Sequence, residues 1–308
     1  MTFPLIRWLS HPHEERADLA VIIVNWNVKE VLLENLKMLS ESRGSISAEC
    51  IVMDNASSDG SVEAVRQMFP QVHVIPNKEN VGFARANQQG IEMMNARHCL
   101  LLNPDMRIAT DALQKTVEYL DAHTDVGVVG AHLSTTSGQT FPSVRHFPDF
   151  WSQLAILFKM PHLFSHLLDR YLWTDFDYSR EQSVDSVRGS YFAISRGALD
   201  KFGGLDCRYF LWFEEVDYCR QVVAAGWRVM YVPSIHATDL GSRSFKQTRL
   251  FLSQSRMMRS LIQYFQKWHP WWQAGVFQLL RPPLLLSAWI TDRLLCLFKV
   301  KEYRRART

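Results

Sequence analysis

Glycine and proline are sparse, with 14 Gly and 12 Pro in 308 residues, and no fixed period of self-similarity runs along the chain. Collagen-like, low-complexity and solenoid architectures are thereby excluded. Cysteine is scarce too: Cys50, Cys99, Cys207, Cys219 and Cys296 are odd in number and lack CxxC spacing. They sit mostly in apolar runs, the habit of reduced structural thiols in a cytosolic protein rather than of a disulfide framework. The N-terminal stretch MTFPLIRWLSHPHEERAD has no apolar core of signal-peptide length, so no export is expected. The body of the chain also lacks excess positive charge. Its net charge is +3, while Lys299, Lys301, Arg304, Arg305 and Arg307 against Glu302 give the last ten residues +4 and leave −1 for the other 298. A nucleic-acid groove needs basic residues in the body, so nucleic acid is not an expected partner, and the basic tail reads as a contact for anionic membrane.

What is there is a globular composition, 47% hydrophobic and 21% charged, enough for a large core. From Asp18 to about His132, β-rich runs alternate with amphipathic stretches, which predicts an α/β fold with a mostly parallel sheet. LAVIIVNWN is continuously apolar, as a strand buried on both faces should be. Val28, Val31, Leu32, Leu36 and Leu39 then recur at helical spacing, and Thr110 is the expected cap of a later helix. Ligands of such sheets lie at the carboxyl ends of strands, where this sequence carries polar clusters: Asn25 to Asn27, Asp54 to Asp59 and Asn103 to Asp105.

An aromatic-rich segment of irregular pattern spans about 134–185, followed by strand, helix, loop, helix and strand, with Gly226 as a left-handed cap. The parts expected are an N-terminal lead (1–17), a first half (18–133), a second half (134–244), and C-terminal amphipathic helices with a basic tail (245–308). In residues 274–298 the apolar run is broken by Arg281, Pro282, Pro283, Asp292 and Arg293. About ten uninterrupted apolar positions remain where a span needs roughly twenty, so an interfacial helix pair is expected. Trp268, Trp271, Trp272 and Trp289 would lie at headgroup depth; packing of these helices on the domain is the alternative.

No GxGxxG follows the first strand and no GxxxxGK[ST] occurs, which removes the main support for dinucleotide enzymes and P-loop NTPases. Instead the chain carries, in order, VIIVNWN, VMDNASSDGS, NKENVGFARANQQGI, LLNPDM, VRGSYFAISRGALDKFGGLD and FLWFEEVDYCRQVVAAGWRVMYVP. Over residues 19 to 244 this resembles the inverting GT-A glycosyltransferases of family 2, in their rhamnosyltransferase-like branch. The resemblance implies a GT-A, Rossmann-like nucleotide-sugar-binding domain, a nucleotide-sugar donor, a saccharide or lipid-linked acceptor, and Mg²⁺ or Mn²⁺.

The same resemblance distributes roles over this sequence. Asp54 would accept hydrogen bonds from the nucleobase or ribose, with an Asx turn opening the DNASSDG loop as the other reading. Asn25, Asn27, Asn55, Asn80, Gly82, Arg85 and Asn103 fall in the donor motifs. NPD at 103–105 stands where the family carries Asp-x-Asp, so Asp105 would be the metal carboxylate, with a plain strand-end turn as the alternative. Of the paired acids, Glu215 takes the general-base position, with a Glu where the family has Asp, and Glu214 is its acceptor-binding neighbour. Asp239 occupies the position of the family's metal-binding His, while His236 stands three residues earlier; either one or neither binds. Arg243 would meet the diphosphate or be an ordinary surface residue. Gly189 reads as a close-approach position near the acceptor, and Asp206 as the acid that orients its loop.

The expected function is therefore transfer of one sugar from dTDP-rhamnose or a UDP-sugar to a hydroxyl in bacterial surface polysaccharide synthesis. The QxxRW motif of processive members is absent. The expected location is the inner face of the cell membrane, peripherally bound. A catalytically silent membrane-associated scaffold and a sugar nucleotidyltransferase are the alternatives. Truncation after about residue 245 is expected to leave a soluble, nucleotide-binding domain.

Overall fold

The computed structural model describes residues 4–9, 15–160, 164–241 and 250–305. The first half runs β1 (Arg7–Trp8), β2 (Ala17–Asn25), α1 (Lys29–Ser40), β3 (Ser47–Asp54), α2 (Ser61–Met68), β4 (His73–Pro76), α3 (Phe83–Met93), β5 (Ala96–Leu102), β6 (Met106–Ile108), α4 (Ala112–Ala122) and β7 (Val126–Ser134). The second half runs β8 (Val144–Arg145), α5 (Phe150–Leu157), α6 (Asp169–Leu172), β9 (Gln182–Ser183), β10 (Ser186–Val187), β11 (Tyr191–Ile194), α7 (Arg196–Phe202), α8 (Glu214–Ala224), β12 (Arg228–Asp239), α9 (Leu250–Trp268) and α10 (Trp271–Arg305). The α/β fold expected from the alternating pattern is the one observed.

The main sheet has the order β1-β3-β2-β5-β11-β7-β12-β6, with β4 also on β3 and β9 on β12. β2, β3 and β5 pair in parallel, as do β7 and β12, while β11 runs antiparallel between β5 and β7. The central strands β2, β5 and β11 are largely apolar because both faces are covered. Along β2, Leu19, Val21 and Ile23 enter the core beneath α1 and α4, while Ile22 enters the core on the opposite face, as a period of two requires. Gly226 adopts φ 80° as expected, whereas the N-cap position of α4 falls on Asp111 rather than Thr110, without a side-chain capping hydrogen bond.

α9 is part of this second core. Met258, Leu261, Tyr264 and Phe265 are at most 1% exposed and pack with Phe192, Tyr218 and Val222. Trp268 donates from Nε1 to Asp217 at 2.6 Å, and Lys267 reaches the same carboxylate at 2.7 Å. That corrects the headgroup placement of Trp268. Arg220 of α8 bonds the Tyr264 hydroxyl at 2.9 Å. Trp271, Trp272 and Trp289 are exposed on α10, and among the described residues no helix is long and apolar enough to cross a membrane.

Candidate active site

Parallel register brings Asn25 and Asp54 side by side at the ends of β2 and β3. Asn25 Nδ2 donates to Asp54 Oδ1 at 2.7 Å, and Ser57 N donates to Asp54 Oδ2 at 2.9 Å, which closes the Asx-type turn. Asp54 is thus the organiser of the DNASSDG loop as well as a strand-end acid, 2% exposed. Asn27 adopts φ 51° and accepts the Ser58 N–H at 2.8 Å, so it locks the facing loop. Asn55 donates to the Gly82 carbonyl and accepts from Asn77 Nδ2 at 3.0 Å. Asn80 accepts the Gly82 N–H at 3.0 Å.

Gly82 is required twice over. Its φ is 90°, and a Cβ there would meet the Phe210 carbonyl, an approach only glycine allows. The next residue, Phe83, donates its N–H to that same carbonyl at 2.7 Å, which ties the start of α3 to the loop before α8. Arg85 is exposed and interacts with Cys207 in that loop. Asp206 clamps Arg208 at 2.6 Å and takes its backbone N–H at 3.0 Å, so it shapes the same loop.

The NPD turn is held from below by buried Asn35 of α1, whose amide donates to the Asn103 and Met106 carbonyls. Asn103 in turn donates its N–H to the Ser190 carbonyl at 3.0 Å. Nothing in the sequence pattern marked Asn35, because it lies within an otherwise ordinary amphipathic helix. Asp239 is the partner of Met106 in the β12–β6 ladder, and Leu240 donates its N–H to the Asp105 carbonyl at 3.0 Å. Asp105 and Asp239, far apart in sequence, are therefore neighbours and both buried. His236 is exposed and bonds the Ser234 carbonyl at 3.1 Å. An offset of three along a strand sends it to the face opposite Asp239. Among the described residues no three His, Cys, Asp or Glu side chains converge on one point. A hard cation on Asp105 and Asp239 would take its remaining oxygen ligands from phosphate and water, which Mg²⁺ and Mn²⁺ accept. Arg243 lies outside the described residues.

Glu214 and Glu215 open α8, where the helix N-terminus favours carboxylates. Two consecutive left-handed residues, Trp212 at φ 67° and Phe213 at φ 70°, turn the chain just ahead of them, a conformation costing about 1–3 kcal/mol each. Each acid retains a buried Oε2 without a hydrogen-bond partner. Glu214 is 4% exposed. Burial, and then the charge of Glu215, push its carboxyl well above the ordinary range. Burial also raises Glu215, a rise limited by backbone N–H hydrogen bonds at the helix start and then by the positive charges of Arg145 and Arg188. The pair thus splits into a carboxyl that keeps its proton and a carboxylate that ionises first. Gly189 lies against this group, a Cβ there standing 3.5 Å from Glu215 Cβ.

Arg188 went unmarked in the sequence. Its guanidinium lies 4.6 Å above the Phe141 ring and feels the charges of Asp239, Glu215 and Asp105. The site therefore unites two metal-suited carboxylates, a split pair of acids and a mostly buried cation, all at the carboxyl edge of the sheet. Such a set can neutralise a leaving anion and accept a proton from an incoming hydroxyl.

Residues 16–261 match the family described as glycosyltransferase like family 2. An N-acetylglucosaminyl-diphospho-decaprenol L-rhamnosyltransferase of Mycobacterium tuberculosis is 24% identical over 281 residues, 86% of this chain and 88% of the relative. A low-salt glycan biosynthesis hexosyltransferase of Haloferax volcanii is 23% identical over 290 residues, 90% of this chain and 85% of the relative. Among solved structures, a mannosyltransferase of Pyrobaculum calidifontis in complex with GDP-Man and Mn²⁺ aligns over 99% of this chain and 84% of its own, with TM-score 0.56 and 18% identity. The fold is of the GT-A type.

Proposed function

The chain belongs to the glycosyltransferase like family 2, and on that premise we propose that it is an inverting transferase moving one sugar from a nucleotide-sugar to an acceptor hydroxyl. The donor is dTDP-rhamnose or a UDP-sugar, and the acceptor a saccharide or lipid-linked saccharide of bacterial surface polysaccharide synthesis. The L-rhamnosyltransferase activity of the mycobacterial relative, on a diphospho-decaprenol acceptor, supports both choices.

One observation carries the mechanism: Glu215 presents an unpartnered carboxylate oxygen at the start of α8 while its neighbour Glu214 is driven toward the protonated state. Glu215 removes the proton of the acceptor hydroxyl. The freed oxygen forms a bond to the anomeric carbon from the face opposite the nucleotide, and the bond to the diphosphate breaks with its electron pair on the leaving oxygen. Glu214, neutral, donates a hydrogen bond that fixes the acceptor. Asn25, Asn27, Asp54 and Asn55 frame the nucleoside, and Asn80, Gly82 and Arg85 hold the loop that closes over it. Asp105 and Asp239 would hold Mg²⁺ or Mn²⁺, which when bound supplies positive charge to the diphosphate; the Mn²⁺ beside GDP-Man in the Pyrobaculum neighbour supports that reading. Membrane association is supported by Trp271, Leu279, Leu286, Trp289 and Leu294, all exposed along α10 among Arg281 and Arg293.

The test is nucleotide-sugar turnover across a donor panel, with and without Mg²⁺ or Mn²⁺, in wild type and Glu215→Gln. Loss of a positioned base lowers transfer by about 10²–10⁴-fold, with nucleotide affinity unchanged. Full transfer by Glu215→Gln, or loss of donor affinity in its place, overturns the assignment.

A further inference from the structure

The tripeptide Ser-Val-Arg occurs twice, at 143–145 and 186–188. The two copies form the antiparallel β8–β10 pair: Val187 lies opposite Val144, Ser186 opposite Arg145, and Arg188 N–H donates to the Ser143 carbonyl at 2.9 Å. Because side chains alternate along a strand, the valines share one face and Ser143, Arg145, Ser186 and Arg188 the other. Val144 and Val187 are buried in the core, which fixes the orientation. The opposite face thus holds two guanidiniums at diagonal positions, within reach of a single ligand of phosphate size. Among the described residues neither arginine forms an ion pair. Arg145 lies over the Tyr171 ring at 5.7 Å and Arg188 over the Phe141 ring at 4.6 Å, so both stems are supported while the charges stay open. Ser143, 5% exposed, has a buried hydroxyl without a hydrogen-bond partner on the same face.

We propose that Arg145, Arg188 and Ser143 bind a phosphate or diphosphate group carried by the acceptor, next to the hydroxyl that Glu215 activates. This rests on the glycosyltransferase reading above and names the acceptor class. Two arginines with an orphan hydroxyl form the donor set that planar, multidentate phosphate recognition uses. The acceptor side is favoured because both cations act on Glu215 and Gly189, next to Arg188 in the chain, lies against it, and in an inverting displacement the base and the leaving diphosphate lie on opposite faces of the sugar. Arg188 also faces Asp105 and Asp239, so the donor diphosphate is the competing source of the same chemistry.

Two probes separate these sources: farnesyl diphosphate for the acceptor side, and UDP or dTDP with Mn²⁺ for the donor side. Dissociation constants are measured by calorimetry on full-length wild type, Arg145→Gln, Arg188→Lys, Arg188→Gln and the double glutamine variant, each checked for a wild-type-like thermal transition. Wild type binds farnesyl diphosphate. Each glutamine substitution weakens that by about 10-fold and the pair by about 100-fold, Arg188→Lys by less, and in Arg145→Gln nucleoside diphosphate affinity stays within about twofold. Unchanged farnesyl diphosphate binding in the double variant, no binding by wild type, or a loss confined to UDP and dTDP overturns the proposal. Should Arg188→Gln fail to fold, Arg145→Gln and Arg188→Lys carry the comparison. Wild type that binds neither UDP nor dTDP and turns over no nucleotide-sugar would refute the glycosyltransferase reading itself.

Discussion

Removing everything after residue 245 deletes α9, and the packing of that helix predicts the opposite of a soluble, nucleotide-binding remainder. Met258, Leu261, Ile262, Tyr264 and Phe265 are between 0% and 7% exposed. At about 1.5–3 kcal/mol for each buried large apolar side chain, five of them contribute roughly 8–15 kcal/mol as an upper estimate. Asp217, itself 0% exposed, would also lose Lys267 and Trp268. Total stabilities are only about 5–15 kcal/mol, so the truncated chain should not fold. A cut after residue 278 keeps α9 together with Ala274 and Phe277, both at most 3% exposed, and should fold. Far-UV circular dichroism melts and gel filtration of the two truncations check this. A cooperative transition within about 5 °C of full length in the shorter chain, with nucleotide binding retained, would refute the reasoning, since that shift corresponds to only a few kcal/mol.

Asp105→Asn and Asp239→Asn should each raise the Mn²⁺ concentration needed for half-maximal turnover and weaken nucleotide-sugar binding, read by metal titration; an unchanged metal response in both removes them from the metal site. Glu49 is fully buried with one unpartnered oxygen, and burial pushes its carboxyl to about 7. Its folded-state value lies above the unfolded one, so the stability it allows is present below about pH 4.5 and lost as the pH rises through about 7. That loss amounts to about 3 kcal/mol. Glu49→Gln should therefore raise Tm by roughly 5 °C at pH 8 and little at pH 4.5, checked by calorimetry. Liposome sedimentation should give binding that requires anionic lipid and is released by salt, each basic residue near the surface contributing about 1 kcal/mol; binding indifferent to both would remove the electrostatic account.

The parallel half of the sheet was legible because burial on both faces forces continuous apolar runs, as in Leu19 to Val24. Helices announced themselves through Leu32, Leu36 and Leu39, all buried as their spacing implies. β11 illustrates what pattern alone misses. Its apolar run marks a strand, but its direction comes from pairing Phe192 with Leu101 on one side and Gly130 on the other, contacts remote in sequence. β8 and β10 are two residues each, too short for any periodicity to register. α9 looked detachable because its apolar stripe resembles that of an interfacial helix, and what distinguishes the two is the surface it meets, Phe192, Tyr218 and Val222 with the buried acceptor Asp217.

The site was half legible for a reason rooted in charge. Its acids fall at strand and helix ends inside motifs, where Asp54, Asp105 and the Glu214–Glu215 pair stand out, and Asp239 follows from the last strand. Its cations do not, since Arg145 and Arg188 look like ordinary strand-end arginines until the two Ser-Val-Arg copies are paired. Yet the cations decide how the acids behave. Arg188 is the group that senses Asp105, Asp239 and Glu215, and Arg145 acts on Glu215 as well. Burial still raises Glu215 and the arginines only limit that rise, while the charge of Glu215 adds to the rise at Glu214.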